Sequence, residues 1–283
     1  MTLGQALRKA EQRLRDASVP DPALDAELLL RHTLGCDRAA VIARGGEPLA
    51  APDEQRFLAL VEERARRRPL QHLTGVQAFW RHEFLVTPDV LVPRPETEVL
   101  VQAALELMRG REAPVVVDVG TGSGCIALSI AAERPDAVVH AVDVSAAALA
   151  VARENARRLG LAARVEMHEG DLLEPVAHLE GRADLVISNP PYVDPVELPT
   201  LAPEVRDHEP RRALFADEPP YGIYRRLAGA STRLLRPGGH LLVEVGQGMA
   251  PAVAQAFGAA GLAKVETLPD LAGIARVVLG RRP

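Results

Sequence analysis

An α/β fold with a mainly parallel sheet, preceded by a small helical bundle, is what this sequence predicts, on three observations. Short apolar or β-branched runs alternate with helical segments from residue 115 onward, the pattern of strands joined by crossover helices. A glycine-rich turn, Asp118-Val119-Gly120-Thr121-Gly122-Ser123-Gly124, stands between one such run and the next helix. Residues 1–75, by contrast, carry only helical spacing.

Taken in order, Thr2 and Gln5 make a capping box, and Leu3, Leu7 and Leu14 share one face of the helix that follows. Asp21-Pro22 and Ala51-Pro52 start two further helices with Pro at the first helical position. Their apolar stripes are Leu24, Leu28, Leu29 and Leu30, then Phe57, Leu58 and Val61. Residues 1–75 are therefore expected to form a helical domain. Phe79-Trp80 and Phe84-Leu85-Val86, closed by Pro88 and Pro93, predict a β-hairpin linker over 76–93. The main domain, 94–283, opens with a helix at Pro95-Glu96 that carries Val99, Leu100, Ala103, Ala104 and Leu107. Strands are expected at 115–119, 138–142, 165–168, 185–188 and 241–245, and helices at 125–134 and 145–159. The second helix has a Ser145 cap and Gly160 just past its end.

Composition narrows the function classes. A length of 283 residues favours two domains. The net charge of -5 gives no whole-chain attraction to phosphate backbones, so a nucleic-acid contact needs a local patch. Residues 64–68, with four Arg in five, are the one candidate, read either as a solvated helix face or as an indirect contact with RNA phosphates. Cys36 and Cys125 lie far apart, with no CxxC pair and no neighbouring His, so no disulfide and no metal site is expected, which suits a reducing compartment. Residues 1–10 carry charges where a signal peptide would need an apolar core, and no apolar run approaches a membrane span, so a cytoplasmic protein without membrane contact is expected.

The glycine turn follows an apolar strand and opens a helix, where a doubly wound fold binds the nucleotide-like part of a ligand. Glycines admit close approach of backbone, and the helix N-terminus offers free N–H groups. Asp143 ends the next strand about 20 residues on, the distance of an acid that accepts from ribose hydroxyls. Asp171 and Leu172, at the third strand end, are candidate adenine contacts. Nicotinamide enzymes use the spacing GxGxxG, whereas here it is GxGxG. This set resembles the motifs of class I methyltransferases, and that resemblance implies S-adenosylmethionine and a Rossmann-like, mainly parallel seven-stranded sheet.

The chemistry is expected at Asn189, Pro190, Pro191 and Tyr192, directly after the strand at 185–188. Two prolines stiffen the turn and remove two N–H groups, so its carbonyls point outward as acceptors. The Asn189 side-chain oxygen is a further acceptor and Tyr192 a flat aromatic face. An amide or exocyclic NH2 is a poor nucleophile because its lone pair is delocalised. The Asn189 oxygen and the Pro190 carbonyl together can hold both N–H bonds so that the nitrogen pyramidalises toward a methyl donor. No histidine clusters with these groups, so none is given a catalytic role.

With these motifs, nearly the whole chain resembles the release-factor glutamine-N5 methyltransferase family (PrmC/HemK). Pro69, Gly75, Phe79, Trp80 and residues 91–98 resemble its interdomain segment, and 120–124 its cofactor loop. Asn189, Pro190, Pro191 and Tyr192 resemble its substrate motif. Val205, Arg206, Glu209, Pro210, Ala213, Leu214, residues 244–246 and residues 273–276 also match. The resemblance implies that Gly120, Thr121, Gly122, Ser123, Gly124, Asp143, Leu172 and Asn189 contact the cofactor. It implies also that Asn189 to Tyr192 contact a glutamine in the Gly-Gly-Gln motif of peptide chain release factors, which the helical domain helps to dock. A monomer is expected. His72 and Leu172 depart from the family, which often has Tyr at the first place and in some members Trp at the second. The stretch 193–222, with six prolines and little periodicity, is expected to be a long loop over the substrate. A rival reading is a methyltransferase for the exocyclic amine of an RNA or DNA base, which the same clamp could hold; an aromatic content of 3% and the acidic balance weigh against it. A non-catalytic binding module would require a degraded clamp, and this one is intact.

Overall fold

In the computed structural model, which describes residues 1–215 and 221–283, the chain divides into two units. One is Met1–Val76 with Leu201–His208; the other is Gln77–Thr200 with Glu209–Pro283.

The first unit is helical: α1 (Leu3–Asp16), α2 (Pro22–Leu34), α3 (Arg38–Ala43), α4 (Ala51–Ala65) and α5 (Leu70–Thr74). Thr2 accepts from the Gln5 N–H and the Gln5 side chain accepts from the Thr2 N–H, so the expected capping box starts α1. Leu3, Ala6, Ala10 and Leu14 of α1 pack on Leu29 and Leu30 of α2 and on Phe57 and Val61 of α4. α2 ends where Gly35 takes φ 61°, a left-handed cap that only glycine adopts without strain.

In the arginine run at 64–68, Arg66 is solvated, whereas Arg64 and Arg67 are drawn into ion pairs. Arg64 is buried; its Nε donates to Asp25 at 2.6 Å and its NH1 to Glu204 at 2.9 Å. Arg67 donates to both oxygens of Glu204 at 2.7 Å, and Arg66 and Arg68 pair with Glu63. Carboxylates from two helices and from the Leu201–His208 segment thus neutralise the charge that the sequence presents as a cluster.

The second unit opens with the expected hairpin, β1 (Val76–Phe79) and β2 (His82–Leu85). Phe79 and Phe84 meet edge to face with ring centroids 6.1 Å apart and join a core that includes Leu100, Val101 and Met108. Pro95-Glu96 starts a single 3-10 turn, Pro95–Thr97, before α6 (Glu98–Leu107). The main sheet contains β3 (Val115–Val119), β4 (Val138–Asp143), β5 (Val165–Glu169), β6 (Ala183–Ser188), β7 (Leu235–Glu244), β8 (Ala263–Pro269) and β9 (Ala275–Arg281). Its order is β5-β4-β3-β6-β7-β9-β8, with β9 antiparallel to both neighbours and the first five strands parallel. β8 and β9 were not read from the residues. α7 (Cys125–Glu133) and α8 (Ala146–Arg158) follow β3 and β4.

Alternate strand residues serve opposite faces. Val116, Leu185, Ile187 and Leu242 enter one apolar cluster, with α6 and α7, whereas Val117, Val186, Leu241 and Val243 enter the other, with the helices Gly222–Leu234 and Ala250–Ala259. Burial on both faces explains why these strands are continuous apolar runs. From β3 the chain steps outward through β4 to β5, then returns to place β6 on the other side of β3. That reversal opens a crevice at the carboxyl ends of β3 and β6, where ligands of open α/β sheets bind.

The stretch 193–222 is not the irregular loop expected. It contains a 3-10 segment, Pro195–Thr200, and the helices Pro203–His208 and Arg211–Leu214. Residues 216–220 of it lie outside the described residues. Among the described residues, no helix is long and apolar enough to cross a membrane.

Candidate active site

The turn after β3 is built from backbone that only glycine takes up readily. Gly120, Gly122 and Gly124 have φ of 71°, 55° and 81°. A Cβ on Gly124 would stand 3.0 Å from Leu128 Cδ1 and 3.3 Å from Ala152 Cβ, so this glycine also lets α7 seat against α8. Asp118 is fully buried, and its Oδ2 accepts from Thr121 Oγ1 at 2.6 Å and from the Ala127 N–H at 3.2 Å, which ties the turn to the first turn of α7. Burial raises its carboxyl to about 7, against the pull of those two donors.

Asp143 closes β4 beside this turn. Its Oδ2 accepts from the Gly122 N–H and its Oδ1 from the Ser145 N–H, each at 2.9 Å. Each oxygen keeps a lone pair for an outside donor such as a ribose hydroxyl. Burial lifts this carboxyl above its ordinary value, opposed by the two backbone donors and by Arg212. After β5 the chain passes through Gly170 at φ 155°, where a Cβ would meet Pro175 Cγ at 2.4 Å, and Leu172 at φ 47°. Asp171 is not a free carboxylate: Arg226 pairs with it.

Ser188 ends β6 with its hydroxyl donating to the Val119 carbonyl at 2.8 Å, which locks the two strand ends together. Asn189, the next residue, donates from Nδ2 to Thr97 Oγ1 at 3.2 Å, and Thr97 Oγ1 donates to Glu244 Oε2 at 2.6 Å. Thr97 and Glu244 are 2% and 3% exposed, so water does not compete for these bonds. Burial pushes Glu244 up to about 7, with Thr97, Arg276 and Asn189 pulling it down. With Nδ2 bound back to Thr97, Oδ1 is the amide end left for the cavity that Asn189 lines. Tyr192 is half-buried: a Cβ on Gly246 would lie 3.1 Å from its ring. Burial lifts the phenol to about 12, so it stays neutral.

These pieces surround one cavity of about 670 Å³, within the range of roughly 300–1,000 Å³ typical of small-molecule sites. Residues 120–123, Asp143, Asp171, Leu172, Asn189, Pro190 and Pro191 all line it; Gly124 stands behind the turn and Tyr192 behind the motif. Arg94, Thr97, Arg211 and Arg212 line it too. Arg94 is held by both oxygens of buried Glu209 at 2.7 and 2.8 Å. Sequence reading did not reach Thr97, Arg94, Glu209 or Glu244 as site residues. They were named only within segments that resemble the family, 91–98, Glu209-Pro210 and 244–246, without an assigned contact. No histidine lines the cavity.

Comparison with known proteins bears on both units. Residues 5–75 match the PrmC N-terminal domain family and residues 96–203 the Methyltransferase small domain family. The release factor glutamine methyltransferase of Cereibacter sphaeroides is 44% identical over 283 residues, covering 100% of this chain and 99% of that protein. Those of Moorella thermoacetica and Deinococcus radiodurans are 45% identical over 283 residues and 44% identical over 282, each with 100% and 99% covered. Among solved structures, the hMettl16 catalytic domain in complex with MAT2A 3'UTR hairpin 6 aligns with a TM-score of 0.58 at 14% identity over 81% of each chain, a likeness of fold alone.

Proposed function

The chain belongs to the release factor glutamine methyltransferase family, and from that premise we propose that it methylates the side-chain nitrogen N5 of the glutamine in the Gly-Gly-Gln motif of a peptide chain release factor, with S-adenosylmethionine as donor. The observation that carries this reading is the tethered amide of Asn189. With Nδ2 given to Thr97, Asn189 Oδ1 and the Pro190 carbonyl are two acceptors for the two N–H bonds of one planar amide.

The cavity suits the donor's parts. The positive-φ turn at 120–124 admits a close-lying chain, and the spare lone pairs of Asp143 suit ribose hydroxyls. When bound there, S-adenosylmethionine supplies an electrophilic methyl on a positively charged sulfur. Asn189 and Pro190 hold the substrate nitrogen so that its lone pair leaves conjugation, and they stabilise the positive charge that grows on it. No general base is needed before transfer, because the methylated nitrogen is acidic and sheds its proton afterwards, which agrees with a cavity without histidine. The acidic partners of Arg64 and Arg67 also engage part of the basic run that offered a contact for nucleic-acid phosphates.

A release factor with Glu in place of the Gly-Gly-Gln glutamine tests the reading. It is expected to accept no methyl, because a carboxylate offers no N–H and meets two acceptors with its own charge. Transfer to that variant at a rate near the wild-type rate would show that the amide is not the target.

A further inference from the structure

Three side chains outside the cavity converge at the open edge of the sheet. Parallel pairing sets His140 on β4 opposite Glu166 on β5, and His168 lies two residues further, so all three leave the same face. His140 Nδ1 is 3.1 Å from His168 Nε2 and 3.5 Å from Glu166 Oε2, and the last two atoms are 3.9 Å apart. The point in their plane equidistant from the three atoms lies about 2.05 Å from each, and a step out of that plane toward a fourth ligand lengthens it slightly, within the Zn–N and Zn–O range of about 2.0 to 2.2 Å. Two imidazoles with one carboxylate form a donor set for zinc and its first-row neighbours, where magnesium and calcium would need oxygen ligands.

We propose that His140, Glu166 and His168 form a binding site for a divalent first-row transition ion, zinc foremost. His140 is 3% exposed, so packing already fixes its ring and little side-chain freedom is lost on binding. Glu166 brings negative charge, while Arg182 opposes it from nearby. His178, whose ring centroid lies 6.1 Å from that of His140 and 6.5 Å from that of His168, is exposed and stands outside the three-ligand group. The ion ties β5 to β4 two residues before Gly170, where the chain turns into the cavity wall at Asp171 and Leu172. Sequence spacing predicted no metal site because the ligands come from two strands, and only strand pairing unites them.

The test is titration of the full chain, purified without a polyhistidine tag, with Co2+ followed by competition with Zn2+. One equivalent of Co2+ is expected to produce visible absorption from imidazole ligation, which zinc abolishes. Binding should weaken by at least about tenfold in both His168→Gln and Glu166→Gln. These positions are partly and largely exposed, and circular dichroism checks that each variant is folded. If His168→Gln does not fold, Glu166→Gln decides. Failure of the wild-type chain to bind Co2+ stoichiometrically, or undiminished binding in a folded variant, would overturn the proposal and leave a hydrogen-bonded imidazole pair.

Discussion

The Asn189 amide is oriented by Thr97 and Glu244 behind it. While Glu244 is ionised, Thr97 donates its single hydroxyl proton to it, so the Thr97 oxygen can only accept, and Asn189 must offer Nδ2. A protonated Glu244 carries its own O–H and can become the donor instead. Thr97 then turns its proton toward Asn189, whose amide flips to accept it and presents N–H groups to the substrate's own. Since burial raises both Glu244 and Asp118 to about 7, kcat/KM for methyl transfer is expected to rise with pH near 7, and the part due to Glu244 is the part its substitution removes. Glu244→Gln, which does not ionise, should flatten that part while retaining measurable turnover. A wild-type profile that is flat between about pH 6 and 8 would contradict the relay. Asn189→Ala removes the acceptor itself, and the methylation rate should fall by at least about 100-fold, the scale of losing one preorganised polar group. A rate near wild type in that variant would remove the clamp from the mechanism.

Among the elements, the glycine turn is sensitive to a single methyl group. Gly124→Ala forces a side chain into left-handed backbone, at about 1–2 kcal/mol, and presses Cβ on Leu128 and Ala152. Chemical denaturation should show at least that loss, and calorimetry a weaker affinity for S-adenosylmethionine. Unchanged stability and affinity would mean that the turn tolerates other geometry. β3, β4, β6 and α7 were legible because burial on both faces writes them as apolar runs, and α8 by its Ser145 cap and the Gly160 beyond its end. β8 was not, since it is a largely exposed edge strand of mixed character. Gly280 obscured β9: glycine weakens a strand pattern, yet a Cβ there would approach Phe257 and Leu262 to 3.0 and 3.1 Å. The prolines of 193–222 suggested a loop, whereas Pro195 and Pro203 open helical segments at the one position where proline fits. α3 and α5, of six and five residues, are too short to show periodicity.

At the scale of the whole molecule, chain order conceals what the fold assembles. The glycine turn and the Asn189 motif were recognisable because each sits at the end of a readable strand. Their supports were not, because Thr97 and Glu244 are 147 residues apart in sequence. Only the sheet order, with β6 returned to the far side of β3 and β7 beside it, brings them to one place. The acids around residues 64–68 were equally hidden, since Glu204 arrives from a segment more than a hundred residues downstream. Mass-spectrometric location of the transferred methyl tests the amide assignment most directly. After incubation with S-adenosylmethionine and purified release factor, one added methyl is expected on the side-chain nitrogen of the Gly-Gly-Gln glutamine. A methyl found on another residue, or transfer to RNA in preference to the release factor, would contradict it.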